Sequence, residues 1–298
     1  MEFNVDIKEL LQAGAHFGHQ TRRWNPKMRP FIFTNRDGIH IIDLEQTVDQ
    51  AKRAAKFLWN TIASGKPVLF VGTKRQAQEI IKQEATRAGQ FYVNNRWMGG
   101  TLTNFKTIKS SIDNLKNLYA RREKGEFEKI KKRERLQMER MIQKLENSLG
   151  GIKDMTGIPG AVFIVDPNTE DIAKKEALIL GIPVIAIIDT NGNPEGIDYP
   201  IVSNDDAIRA IQYISSLMAD ACLEGGKQRE ILLREQSTKD AERKGAVPSG
   251  PARREQKVGG VGKAYTSKKP KEKTEQLSAE ELEAFAKAKA EEATEPTK

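Results

Sequence analysis

Four consecutive apolar residues, Val68-Leu69-Phe70-Val71, constrain this chain more than any other stretch. A strand with one wet face alternates apolar and polar residues. A strand that is apolar throughout is covered on both faces, as in a parallel sheet flanked by helices. Gly72-Thr73 then leads into a helical pattern with Ala77, Ile80, Ile81 and Ala85 inward, closed by Gly89, and Phe91 to Val93 reads as the next strand. That is one βαβ unit. The alternation resumes with a strand at Ala161 to Val165, a helix at Thr169 to Leu180 and a strand at Val184 to Ile188. A brief strand at Ile201-Val202 and a helix from Asp205 to about Leu223 follow. The pattern predicts a doubly wound α/β domain, whose ligand sites lie at the carboxyl ends of the strands.

Upstream, Asp6 to Ala13 reads as a short helix with Ile7, Leu10 and Leu11 on one face. Residues 15–30 read as irregular, broken by Gly18, Pro26 and Pro30. Phe31 to Thr34 and Ile39 to Ile42 form a hairpin around Asn35-Arg36-Asp37-Gly38, and Leu44 to Ile62 marks a helix ending before Gly65.

Between the two halves of the α/β pattern the period changes. Phe105, Ile108, Ile112, Leu115 and Tyr119 recur at gaps of three and four. Beyond Gly125, Phe127, Ile130, Met138, Met141, Leu145 and Leu149 give a second stripe. Two helices joined by a short turn predict an inserted antiparallel, coiled-coil-like hairpin over residues 103–149. Its other positions carry Lys106, Lys109, Lys129, Lys131, Lys132, Arg133, Arg135, Arg140 and Lys144. A charge run is ordinarily a solvated face. A positive excess this one-sided favours contact with phosphate or an acidic protein.

The whole chain leans the same way, with a net charge of +8 over 298 residues and a pI of about 9.3. That balance suits a protein that meets nucleic acid. The single cysteine, Cys222, excludes an intramolecular disulfide, a Cys-based zinc ribbon and a CxxC redox pair. The N-terminal stretch carries acids and no apolar h-region, and no apolar run approaches the ~20 residues that span a bilayer. A cytoplasmic protein without membrane contact is expected.

Two stretches mix cations with aromatics. In residues 15–30, Arg22, Arg23, Lys27 and Arg29 alternate with Phe17, Trp24, His16 and His19. Cations pair with phosphates while planar rings stack on unpaired bases. In residues 94–104, N-N-R-W-M-G-G-T-L-T-N, Arg96, Trp97 and Asn104 surround Gly99 and Gly100, which let the chain leave the sheet for the hairpin. Trp24 and Trp97 either stack on RNA or brace their loops. Neither stretch holds a catalytic constellation.

The strand ends offer two further readings. Gly72-Thr73-Lys74-Arg75 could seat a phosphate at a helix N-terminus. No G-x-G-x-x-G is present, and Ser64-Gly65-Lys66-Pro67 precedes its strand, so a nucleotide-binding enzyme lacks its fingerprint. Asp189, Asp205 and Asp206 sit at the ends of neighbouring strands. Three carboxylates share a small space only with a cation, and His16 or His19 could complete a zinc- or magnesium-type shell. The plain alternative has Asp205 capping a helix and Asp189 opening a turn. From Gly225 the apolar pattern fades, so residues 1–226 read as the α/β RNA-binding domain and 227–298 as a disordered, charged extension. One exception is Ser278 to Glu292, where Ser278 and Glu281 make a capping box before Leu282 and Phe285.

Several stretches resemble the bacterial small-subunit ribosomal protein two family. They are A-G-A-H-F-G-H-Q-T-R-R-W-N-P-K-M (13–28), V-L-F-V-G-T-K-R (68–75), V-N-N-R-W-M-G-G-T-L-T-N (93–104), K-L-E-N-S-L-G-G-I-K-D-M (144–155), G-I-P-V-I-A-I-I-D-T-N (181–191) and N-D-D-A-I-R-A (204–210). They lie in family order. The resemblance implies a flavodoxin-like doubly wound parallel sheet with a protruding helical hairpin and no catalysis. It implies a place on the solvent side of the small ribosomal subunit near the head-body junction, bound to small-subunit rRNA beside other small-subunit proteins. It also implies a part in docking ribosomal protein one, close to where the messenger leaves its pairing site. No cofactor is required. Some members hold a metal here through residues matching His16, Asp189, Asp205 and Asp206. The tail after about Gly226 is longer than in many members. The expectation is therefore architectural, salt-steep RNA binding. Its expected contacts are Arg22, Arg23, Trp24, Lys27, Lys74, Arg75, Arg96, Trp97, Asn104, Lys106, Lys109, Lys131, Lys132 and Arg133.

Overall fold

The computed structural model describes residues 3–245. The chain opens with α1 (Ile7–Gln12), where the Asp6 carboxylate accepts the Lys8 N–H. Of its three apolar residues only Leu10 is buried. Then β1 (Phe17–Gln20), β2 (Ile32–Arg36) and β3 (Ile39–Ile42) form a small antiparallel sheet in the order β1-β3-β2. β1 corrects the irregular reading of residues 15–30. Gly18 does not break the strand, because Phe17 and Gln20 pair across to Ile41 and Ile39. Met28 and Ile42 pack this small sheet onto Ile188 and Val202 of the main domain.

The main domain runs through α2 (Leu44–Ala63), β4 (Val68–Val71), α3 (Gln78–Arg87) and β5 (Phe91–Val93). Two arm helices follow, α4 (Phe105–Glu123) and α5 (Lys132–Leu149). The chain returns as β6 (Ala161–Val165), α6 (Asp171–Ile179), β7 (Val184–Ile188), β8 (Tyr199–Val202) and α7 (Ile208–Gly245). The five strands are all parallel in the order β5-β4-β6-β7-β8. That is the flavodoxin-like 2-1-3-4-5 order, with its switch point between β4 and β6. β4, β6 and β7 are buried at every position. Val68, Phe70, Phe163, Val165, Ile185 and Ile187 face α2, α3 and α7. Leu69, Val71, Val162, Ile164, Val184 and Ala186 face α6 and the base of the arm. Pro200 is tolerated in β8 because that strand is an edge of the sheet.

Three boundaries differ from the sequence reading. Residues 72–77 form a turn and α3 begins only at Gln78, so Gly72 to Arg75 is not a helix N-terminus. α7 begins at Ile208, where Asn204 Oδ1 accepts the N–H groups of Asp206 and Ala207. Asn204 thus makes an Asx turn ahead of the helix, and Asp205 lies inside that turn, three residues before α7 begins. α7 also continues to Gly245, past the expected domain end at 226. The residues after Gly226 are mostly Lys, Gln, Arg, Glu and Leu with no proline before Pro248, so propensity sustains the helix. Gly225 serves packing, since a Cβ there would lie 2.7 Å from the Trp59 carbonyl oxygen. The helix expected over Ser278 to Glu292 lies outside the described residues.

The hairpin forms as the periodicity predicts. Ile108, Ile112 and Leu149 bury its base against the sheet, while Leu115, Leu118, Phe127 and Ile142 make a core within the arm. The second stripe holds at Phe127, Ile130, Met138, Leu145 and Leu149 and differs at one position, where Ile142 is buried and Met141 is 50% exposed. Gly125 turns the arm with φ of 70°. At ~1.5 Å per residue, the 19 residues of α4 span roughly 28 Å.

Candidate nucleic-acid interface and carboxylate cluster

The arm leaves the sheet through residues 94–104, and one buried carboxylate organises that exit. Glu176 sits on the inward face of α6, between Ala173 and Ala177. Its Oε1 accepts the Trp97 indole N–H at 3.0 Å and the Gly100 N–H at 2.7 Å. Its Oε2 accepts from Leu102 N at 2.9 Å, Thr103 N at 3.1 Å and Thr103 Oγ1 at 3.1 Å. Burial alone would raise this carboxyl, but the bonds from Trp97, Thr103, Leu102 and Gly100 outweigh it and hold the group below the usual carboxylate range. Gly100 adopts φ of 87°, a left-handed turn that presents its N–H inward. Trp97, 8% exposed, therefore braces this loop from inside. Arg96 and Asn104 flank it and are exposed.

Most of the other expected contact residues lie on the surface. Arg22, Arg23, Lys27, Arg75, Lys106, Lys109, Lys131, Lys132 and Arg133 are all exposed. Lys27 pairs with Glu195 at 2.6 Å, and Arg22 Nε donates to Gln20. Trp24 is half-buried with its ring 5.3 Å from that of His40. Between residues 105 and 149, thirteen Lys and Arg face seven Asp and Glu, a surplus of six in a chain of net charge +8. The arm thus carries most of the excess charge on two helices that stand away from the sheet. Within it Arg121 pairs with Glu126 and Arg135 with Glu139, whereas Lys131, Lys132 and Arg133 form no ion pair among the described residues.

Lys74 is placed differently. Its ammonium lies 2.8 Å from Asp205 Oδ1, 2.6 Å from Asp206 Oδ1 and 3.5 Å from Asp166 Oδ2. This is the carboxyl end of the sheet, beside the switch point. Burial lowers the lysine, but its bonds to Asp205 and Asp206 more than reverse that and keep it charged. Asp205 is fully buried, and its Oδ2 has no hydrogen-bond partner. Burial, then the charges of Asp166 and Asp189, push its carboxyl up to about 7, against the pull of Lys74.

Asp205 and Asp206 lie together, and the histidine beside them is His19, which also contacts Asp189. Its Nδ1 lies 2.8 Å from Asp189 Oδ2 and its Nε2 lies 3.6 Å from Asp206 Oδ2. Ligand atoms of His19, Asp205 and Asp206 fall within 4.8 Å of one another. His16, the expected ligand, instead lies with its ring centroid 4.0 Å from that of Phe17, tilted by 40°, and stays outside this group. The β1–β3 pairing is irregular between Phe17 and Gln20, and His19 in that stretch lies against the loop after β7. There the His19 N–H bonds Thr190 Oγ1 at 2.9 Å, and Gly18 comes so close that a Cβ would lie 2.7 Å from Thr190 Cγ2. The cluster opens into a cleft of about 230 Å³ lined by Gly18, His19, Arg23, Asp189, Asn204 and Asp206, among others. The donor set suits a divalent cation, with Asp205 Oδ2 and His19 Nε2 both outside the grip of Lys74. Glu176 and Asp166 were not singled out as organisers of these sites by the sequence, whereas His19 was offered as the alternative to His16. The available signal for Glu176 was an acid on an otherwise apolar helix face.

Comparison with known proteins agrees with this architecture. The family model described as ribosomal protein S2 matches residues 10–225. A small ribosomal subunit protein uS2 of Geotalea uraniireducens (strain Rf4) is 57% identical over 230 residues, covering 77% of this chain and 90% of that protein. The uS2 of Maridesulfovibrio salexigens is 54% identical over 241 residues, covering 80% and 93%. The uS2 of Roseiflexus sp. (strain RS-1) is 56% identical over 228 residues, covering 76% and 87%.

Proposed function

The chain belongs to the ribosomal protein S2 family, and on that premise we propose how it serves as a structural, non-enzymatic component of the small ribosomal subunit in the cytoplasm. It binds small-subunit rRNA chiefly through the helical arm. The observation that carries this reading is the surplus of six positive charges on residues 105–149. Lys106, Lys109, Lys131, Lys132 and Arg133 neutralise backbone phosphates and release counterions, which makes binding salt-steep. Arg96 and Asn104 continue that face at the root, and Arg22, Arg23, Lys27 and Arg75 supply contacts on the body. Trp24 and Trp97 act as braces. Lys74, already held by three carboxylates, contributes to the cluster instead. Tagged full-length protein should co-sediment with small subunits in moderate salt, and a wholly free pool would sink the proposal.

The carboxylate cluster is read as a structural cation site. His19, Asp205 and Asp206 would hold zinc or magnesium, with Asp189 orienting His19 through its Nδ1, a carboxylate–histidine arrangement common beside metals. The bound ion would tie β1 to the turn before α7. Elemental analysis of purified protein should find about one equivalent, lost in Asp205→Asn and retained in His16→Ala. Loss in the His16 variant alone would overturn this assignment.

Ribosomal protein one is the further partner. A cleft of about 590 Å³ between α1 and α7, lined by Ile208, Tyr213 and Leu217 together with Glu9, Arg209 and Asp220, supports a docking surface, and Ile208 in it is 61% exposed. Ile208→Asp is expected to release that partner from small subunits while leaving co-sedimentation of this protein intact. Unchanged recruitment would exclude the cleft.

A further inference from the structure

We propose that Glu176 is the positioning residue that fixes the direction of the helical arm, and that the arm's phosphate contacts depend on it. This rests on the arm being an rRNA-binding element. All five donors to the Glu176 carboxylate come from residues 97–103, the segment that joins the sheet to α4. The carboxylate gathers a single connecting loop onto α6. The returning chain is fixed by different means: Gly151 lies so close to β5 that a Cβ would sit 2.1 Å from the Tyr92 carbonyl oxygen. One strand of the root is therefore held by charge-assisted hydrogen bonds and the other by backbone contact. Beyond the root the arm has its own core and does not need the latch to stay helical.

Leverage makes the latch matter. For an arm roughly 28 Å long, a swing of about 10° at the root moves the tip by about 5 Å. That is well beyond the tolerance of a charge-assisted hydrogen bond to phosphate. Glu176 is 6% exposed, so it touches no RNA itself.

Full-length protein carrying spin labels at Glu128→Cys near the tip and Lys52→Cys on α2 tests this, since Cys222 is buried. In Glu176→Gln the tip-to-body distance distribution should broaden at least about twofold, with the helix content unchanged. Affinity for small subunits lacking this protein should fall about tenfold, and the slope of log K against log salt should shrink by about one to two. Removing a negative charge would by itself strengthen binding to RNA, so a loss reports geometry. Glu176→Asp, which keeps the carboxylate, should restore most of both readouts. An unchanged distance distribution in Glu176→Gln would overturn the proposal, whether or not affinity fell. Should that variant not fold, Thr103→Val, which deletes one donor, should broaden the distribution measurably, and no change would overturn it equally. If the wild-type protein itself fails to bind subunits while its distance distribution narrows with the latch intact, the rRNA-binding reading fails and the positioning of the arm stands.

Discussion

Two buried carboxylates respond to pH in opposite senses. Glu176 has a folded-state value below its usual one. Its contribution is fully present above the ordinary carboxylate range and is lost as pH falls through the lower folded value. Asp205 has a folded value of about 7, raised from 3.8. Its contribution is fully present below the ordinary value and is lost as pH rises through 7. Stability in chelator, measured by urea unfolding, should therefore rise by about 1–3 kcal/mol from pH 8 to pH 5 and fall again in stronger acid. Asp205→Asn should reduce the rise, leaving the part due to His19, which its bond to Asp189 also holds above its ordinary value, and leave the acid limb. A rise of the same size in that variant would show that another group is responsible. The sequence marked the aspartates because they end predicted strands. It could not choose between His16 and His19, because both lie in the same short stretch with no periodic signature to say which faces the aspartates. Glu176 was hidden for a related reason: a lone acid in a short helix looks solvated until the loop that surrounds it is in place.

At the scale of elements, the segments with strong periods were legible. The apolar strands, α2 and the hairpin all follow from spacing, and Gly125 and Gly89 mark real turns. Irregular segments were not. β1 is four residues stabilised by partners far away in sequence, and the outer half of α7 has helix-forming residues but no apolar face to announce it. The pair Gly225-Gly226 suggested an end, yet the two glycines differ. A Cβ at Gly225 would press on the Trp59 carbonyl and Ile62, while at Gly226 it would meet nothing within 4 Å. Gly225→Ala should thus destabilise by about 1–2 kcal/mol despite the better helix propensity of alanine. Gly226→Ala should stabilise by about 0.5–1 kcal/mol. Thermal melts of the two variants check this, and equal shifts of the same sign would contradict the packing role given to Gly225.

For the molecule as a whole, the parts divide the labour by rigidity. The sheet is covered on both faces and its strands are dry, so it is a stable base. The arm projects most of the chain's excess charge on two helices anchored at one root. No described helix is long and apolar enough to cross a membrane. The central claim is that this arm reads the rRNA backbone by charge. The direct measurement is binding to small subunits lacking this protein, followed across a salt series, for wild type and for Lys131→Ala/Lys132→Ala/Arg133→Ala. Each phosphate that is no longer neutralised lowers the slope of log K against log salt by about 0.7–0.9. The triple variant should therefore show a slope smaller by about two to three, with an unchanged melting temperature. An unchanged slope would place the rRNA-binding surface elsewhere and contradict the account.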